Sequence, residues 1–207
     1  MPLIIPPAPP QSTEALRTAL PLMAHRPALA KLAPRLAASI TGSPAAASLS
    51  PSLSYRVYTL GLSDLGAAAS NSLRAATLSA WRHTITSDGE VVTADVSVDH
   101  AGANHTFSAI SSNPHAPEVQ NAIHTLGQDP KLAAASYEVS LLQVPALGVR
   151  AVWLHDPSGK AADILVPVAP VRPELVAGRQ YSIADFTGAL KDATAKILTE
   201  HDPRKGS

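Results

Sequence analysis

The chain is 207 residues long, 45% hydrophobic and 15% charged, with sixteen basic and sixteen acidic residues and no cysteine. A chain this long and this apolar can bury a real core, which excludes disorder over most of its length. The missing cysteines exclude disulfides, thiolate chemistry and sulfur-ligated zinc or iron–sulfur sites, and the cancelled charge leaves no whole-chain footprint for nucleic acid or an anionic membrane.

Residues 1–11, MPLIIPPAPPQ, predict a proline-rich extended or disordered end. They lack the basic start and long apolar stretch of a secretory signal. No apolar run approaches the roughly 20 residues that span a bilayer, so a cytoplasmic chain without a membrane span is expected. Residues 12–40 turn helical: Leu16, Leu20 and Met23 keep helical spacing, as do Leu29, Leu32, Leu36 and Ile40. Pro21, Pro27 and Pro34 interrupt that pattern, giving short helices that begin at these prolines or a kinked rod, with Ser12 or Thr13 as the first N-cap. Residues 41–52, TGSPAAASLSPS, have the composition of a linker, making residues 12–40 a helical arm suited to self-association or to a protein partner.

An α+β domain is expected over residues 53–202, followed by a charged tail at 203–207. Residues 55–60 alternate as a strand. Residues 66–84 are ambiguous between a helix and a loop leading into a strand. The strand alternative opens a three-stranded meander, with the Asp88-Gly89 signal at its first hairpin. A tip at Ser87 and Asp88 sets Trp81 opposite Ala94 and His83 opposite Val92. A second loop at 101–104 sets Val96 opposite Ala109 and Val98 opposite Phe107. If residues 66–84 were one helix, the order would instead be ferredoxin-like.

Pro117 starts and Gly127 ends a helix over residues 116–126. Residues 137–170 hold the densest β-branched run and the Asp156-Pro157-Ser158-Gly159 turn signal. Read as one hairpin, they place Leu147, Val149, Ala151 and Trp153 opposite Val168, Val166, Ile164 and Ala162. Arg150 and Asp163 fall on the other face, and Pro145 and Pro167 suggest an edge position. That hairpin reads as scaffold, with any chemistry elsewhere. Ser182 and Asp185 form a capping-box pattern for a last helix carrying Ile183, Phe186, Leu190, Ile197 and Leu198. The fold class is therefore α+β, a mostly antiparallel sheet of five to seven strands with helices on one face.

Chemistry-bearing motifs are sparse. There is no phosphate loop, dinucleotide fingerprint or zinc-protease pattern, and no cofactor is implied. Five of the eight histidines lie between residues 83 and 124. In the meander, His100 and His105 flank one hairpin mouth beside Asp99, a donor set that suits zinc or another divalent metal, with His115 nearby. His83 falls on the apolar face beside Trp81 and Phe107, where a neutral imidazole needs a partner or lines a ligand pocket. Asp95 and Asp99 share a strand face as candidate paired carboxylates, and His155-Asp156 sits at a turn. Three functions remain in view. The first is a non-catalytic binding or assembly protein, the second a hydrolase or metal enzyme using the middle histidines. The third is a carrier with an apolar pocket near Trp81, Phe107 and Trp153.

Overall fold

The computed structural model describes residues 3–42, 51–67, 73–87, 89–112 and 115–200. Among these residues the helices are α1 (Pro10–Ala24), α2 (Pro27–Leu32), α3 (Pro34–Gly42), α4 (Leu62–Ala67), α5 (Ala116–Gly127) and α6 (Ile183–Glu200). The strands are β1 (Leu53–Thr59), β2 (Thr77–Ser87), β3 (Glu90–Val98), β4 (His105–Ser111), β5 (Glu138–Val144), β6 (Val149–His155), β7 (Ile164–Pro167) and β8 (Tyr181–Ser182). They are hydrogen-bonded in the order β4-β3-β2-β1-β5-β6-β7-β8, and the chain is α+β as expected. No described helix is long and apolar enough to cross a membrane. Two compact units divide the chain. One holds Ile5–Val57 and Leu78–Gln120, the other Met1–Ile4, Tyr58–Thr77 and Asn121–Ser207.

In the unit built from Ile5–Val57 and Leu78–Gln120, α1, α2 and α3 each begin on a proline, at Pro10, Pro27 and Pro34. A first-turn proline lacks only an amide that the helix would leave unpaired, so Pro27 and Pro34 start helices as expected. Pro21 stays inside α1. Starting at Pro10 differs from the expected cap at Ser12 or Thr13, and it turns Ser12 into a buried first-turn residue. The leucine stripe then has one destination. Leu16, Leu20, Leu29, Leu36 and Ile40 form a single buried cluster with Ile85, Val92, Ala94 and Val96 of β2 and β3. The Glu90 carboxylate accepts from the backbone amides of Arg35 and Leu36 at 3.0 and 3.2 Å, so β3 itself caps α3. The inner side of residues 12–40 is thus core.

The meander is present as β2, β3 and β4, and no single helix covers residues 66–84. Its register slides by two from expectation: Trp81 faces Val96 and His83 faces Ala94, because Ser87 pairs with Glu90. Gly89, at φ +81, takes the left-handed tip position that a side chain resists. The other tip residue of the expected turn, at position 88, lies outside the described residues. A slip of two leaves every side chain on its predicted face. A bulge between Asp95 and Val96 shifts the next pairing, so Val96 meets Phe107 and Val98 meets His105.

In the unit built from Met1–Ile4, Tyr58–Thr77 and Asn121–Ser207, residues 137–170 depart furthest from expectation. They make three strands rather than one hairpin, and this extra strand together with the short β8 at Tyr181–Ser182 brings the count to eight, above the expected five to seven. Pro145 cannot donate to a ladder, and a single 3₁₀ turn at Pro145–Leu147 ends at Gly148 with φ 63. That turn folds β6 back on β5, pairing Val144 with Val149. The next loop is also wider than the expected four-residue turn. The Asp156 carboxylate accepts from the amides of Ser158 (2.9 Å), Lys160 (3.0 Å) and Ala161 (2.7 Å), so pairing resumes only at Leu154 with Ile164. Trp153 therefore faces Leu165, three residues from the predicted partner Ala162. An odd offset exchanges faces, so Leu165 rather than Val166 joins the Trp153 side. Val152, Leu154 and Val166 are buried on the opposite face, and β6 lies between β5 and β7 rather than at an edge.

Ile4 bridges this unit's β5. Its amide donates to the Tyr137 carbonyl and its carbonyl accepts from Val139, both at 2.8 Å. The last helix starts as predicted: the Asp185 amide donates to Ser182 Oγ at 3.1 Å, and Ser182 Oγ–H donates to the Asp185 carboxylate at 2.7 Å. Ile183, Phe186 and Leu190 enter one cluster with Val149, Ala151, Trp153 and Leu165. Leu198, assigned to the same stripe, is 44% exposed near the helix end.

Candidate functional site

The middle-segment residues are not gathered. The Asp99 carboxylate closes its own loop, accepting from the Asn104 amide (3.3 Å), Asn104 Nδ2 (2.6 Å) and the Ala103 amide (2.9 Å). The Asn104 and Ala103 hydrogen bonds hold its carboxyl below the ordinary value. His100 is exposed in that loop, and His105 opens β4 opposite Val98, where its Nδ1 is buried with no hydrogen-bond partner. His115 precedes α5. Among the described residues, no three His, Asp or Glu side chains are placed to hold a metal ion. Asp95 is not joined with Asp99. It clamps Arg82 through two hydrogen bonds of 2.7 Å, on the face where buried Tyr55 has its phenol pushed by burial up to about 12. Burial works against the Arg82 charge, yet the Asp95 carboxylate beside it holds the guanidinium above its ordinary value.

The second predicted group, Trp81, His83 and Phe107, lies on the face covered by α1. His83 is fully buried between two serines, with Ser12 Oγ 2.8 Å from Nε2 and Ser54 Oγ 2.9 Å from Nδ1. A neutral imidazole donates through one nitrogen and accepts through the other, so one serine gives and the other receives. Burial lowers the His83 pKa to about 4; the Asp95 carboxylate opposes that shift and His105 adds to it. With the helix over it, this constellation fastens α1 to β1 and β2. The Arg56 guanidinium lies over the Trp81 ring at 5.7 Å.

A cleft of about 520 Å³ opens instead at the far end of β6, in the unit that carries α6. Leu73, Trp153 and Ile183 give it an apolar wall; Arg74, His155, Asp163 and Ser182 supply polar groups. Strand alternation places Trp153 and His155 on one face, and the wide loop held by Asp156 returns the chain so that Asp163 meets both. The Asp163 carboxylate accepts from Trp153 Nε1 at 3.0 Å on one oxygen and lies 2.9 Å from His155 Nδ1 on the other. Tyr58 meets the Trp153 ring edge-on at 5.1 Å, and the His155 ring lies 5.6 Å from it. The hydrogen bonds of the Asp156 loop, those from Ser158 foremost, lower the Asp156 carboxyl to about 2. Asp156 is thus a loop organiser, and the partner of His155 is Asp163.

Of the candidate site residues singled out from sequence, Trp153, His155 and Asp156 line this cleft; Arg74 and Asp163 as site residues, and Ser12 and Ser54 as partners of His83, were missed. The odd slip in register hid Asp163, and no local motif announces serines 71 and 29 residues away from their histidine. Comparison with family models, with curated proteins and with solved structures returns no match.

Proposed function

We propose that the protein binds a small organic molecule in the cleft beside Trp153. The observation that carries this reading is the combination of size and lining. A volume of about 520 Å³ walled by Leu73, Trp153 and Ile183, with a few convergent polar side chains, has the character of small-ligand sites. The apolar wall suits a flat or aliphatic body, and His155, Arg74 and Asp163 suit a hydrogen-bonding head. The rival expectation, partner capture by residues 12–40, has less support because Leu16, Leu20, Leu29 and Leu36 are already buried against β2 and β3.

The indole N–H of Trp153 reports directly on the cleft, and Trp81 serves as an internal control. In ¹H–¹⁵N spectra, titration with indole and with 4-nitrobenzyl alcohol should shift the Trp153 indole signal and leave that of Trp81 in place. Ala161→Trp, which fills the cleft without removing the Ala161 amide from Asp156, should abolish the shift. A Trp153 signal indifferent to both probes at millimolar concentration refutes the reading.

A further inference from the structure

We infer that the cleft is hydrolytic: His155 acts as general base toward water attacking a small uncharged ester seated against Trp153. The inference rests on the cleft being a ligand site. An ionised carboxylate only accepts, so Asp163 fixes the hydrogen of neutral His155 on Nδ1 and leaves Nε2 as the basic nitrogen. Trp153 Nε1–H holds the other Asp163 oxygen, so the carboxylate is steered from two sides. The pair is also graded in depth, with the Asp163 side chain 16% exposed and that of His155 46% exposed. The orienting carboxylate sits behind, and the more exposed imidazole lines the cleft.

The neighbouring groups narrow the chemistry. Ser182 Oγ–H donates to Asp185 as the cap of α6, so the attacking oxygen belongs to water and not to this serine. The Asp156 carboxylate is filled by its own loop and does not compete for the imidazole. The wall of Leu73, Trp153 and Ile183 favours an apolar acyl group over a highly charged phosphoester. One base shuttling one proton suits an alkoxide or phenoxide leaving group.

The step balances without a cofactor. The water oxygen bonds to the acyl carbon as His155 Nε2 takes its proton, and the carbonyl pair moves onto oxygen beside the Arg74 wall. Return of that pair expels the alkoxide, which takes the proton back from Nε2, leaving carboxylic acid and alcohol. No electron is gained or lost.

The test uses the full chain with 4-nitrophenyl acetate and 4-nitrophenyl butyrate. Hydrolysis should saturate with substrate and show no initial burst. It should fall about 100-fold in both His155→Gln and Asp163→Asn, a usual worth for a positioned base. His124→Gln, outside the cleft, should leave it unchanged and so controls for surface imidazole. A solvent deuterium isotope effect on the wild-type rate should disappear in His155→Gln. The amide 4-nitroacetanilide separates the two levels of argument through the Trp153 indole signal. A shift without ester hydrolysis overturns the hydrolytic inference and leaves the binding site standing; no shift overturns both. Hydrolysis that does not saturate, or that persists in His155→Gln, also overturns the inference.

Discussion

His83→Gln tests the buried core of the α1 unit through its pH dependence. His83 is fully buried, and its pKa is lowered from 6.5 to about 4 in the folded protein. The unfolded chain therefore takes up a proton at a pH where the folded chain does not, and stability falls as pH falls. The stability is whole above about pH 6.5, declines through the window below it, and stops declining near pH 4. Each pKa unit is worth about 1.36 kcal/mol, so the full difference approaches about 3 kcal/mol. Between about pH 7 and about pH 5 the loss from this residue is about 2 kcal/mol, before most carboxylates begin to protonate. Urea unfolding followed by tryptophan fluorescence measures it. Glutamine keeps one donor and one acceptor for Ser12 and Ser54 but does not titrate. His83→Gln should start less stable at pH 7 and then lose about 2 kcal/mol less than wild type on the way to pH 5. Equal losses in the two proteins would refute the argument, showing that His83 is hydrated or charged in the fold.

Two further substitutions probe other features of the fold. Asp95→Ala strands the Arg82 guanidinium, whose side chain is 9% exposed, and should cost about 3 kcal/mol in denaturant unfolding; a cost below about 1 kcal/mol would mean that water reaches that charge. Gly148→Ala meets no atom within 4 Å yet must hold φ 63, so it should cost about 1 kcal/mol through backbone strain alone, and a neutral result in thermal melts would show the turn rearranging.

Elements governed by near neighbours were legible in the residues. The prolines marked the starts of α2 and α3, Ser182 with Asp185 announced α6, and alternation placed Trp81, His83, Val92, Ala94 and Val96 on one face. Those features depend on dihedral preference and side-chain period, which act over a few residues. Register did not follow from them. A slip of two at Gly89 was harmless because the period of a strand is two. A slip of three at the Asp156 loop exchanged faces, and only the three backbone amides converging on that carboxylate decided it. Pro145 likewise suggested an edge, whereas Gly148 beside it made a reversal that set β6 between β5 and β7.

The same division runs through the two sites. By itself the sequence determined an α+β chain without cysteine chemistry, with His83 on an apolar face and Trp153 and His155 on a common side. The tertiary structure decided that α1 would close over His83 through Ser12, and that Asp163 would arrive beside Trp153 and His155. Both outcomes depend on hydrogen bonds between residues far apart in the chain or across a loop of unforeseen width. Such partners are selected by which buried polar groups must be satisfied once the core has packed, a condition that no local pattern carries.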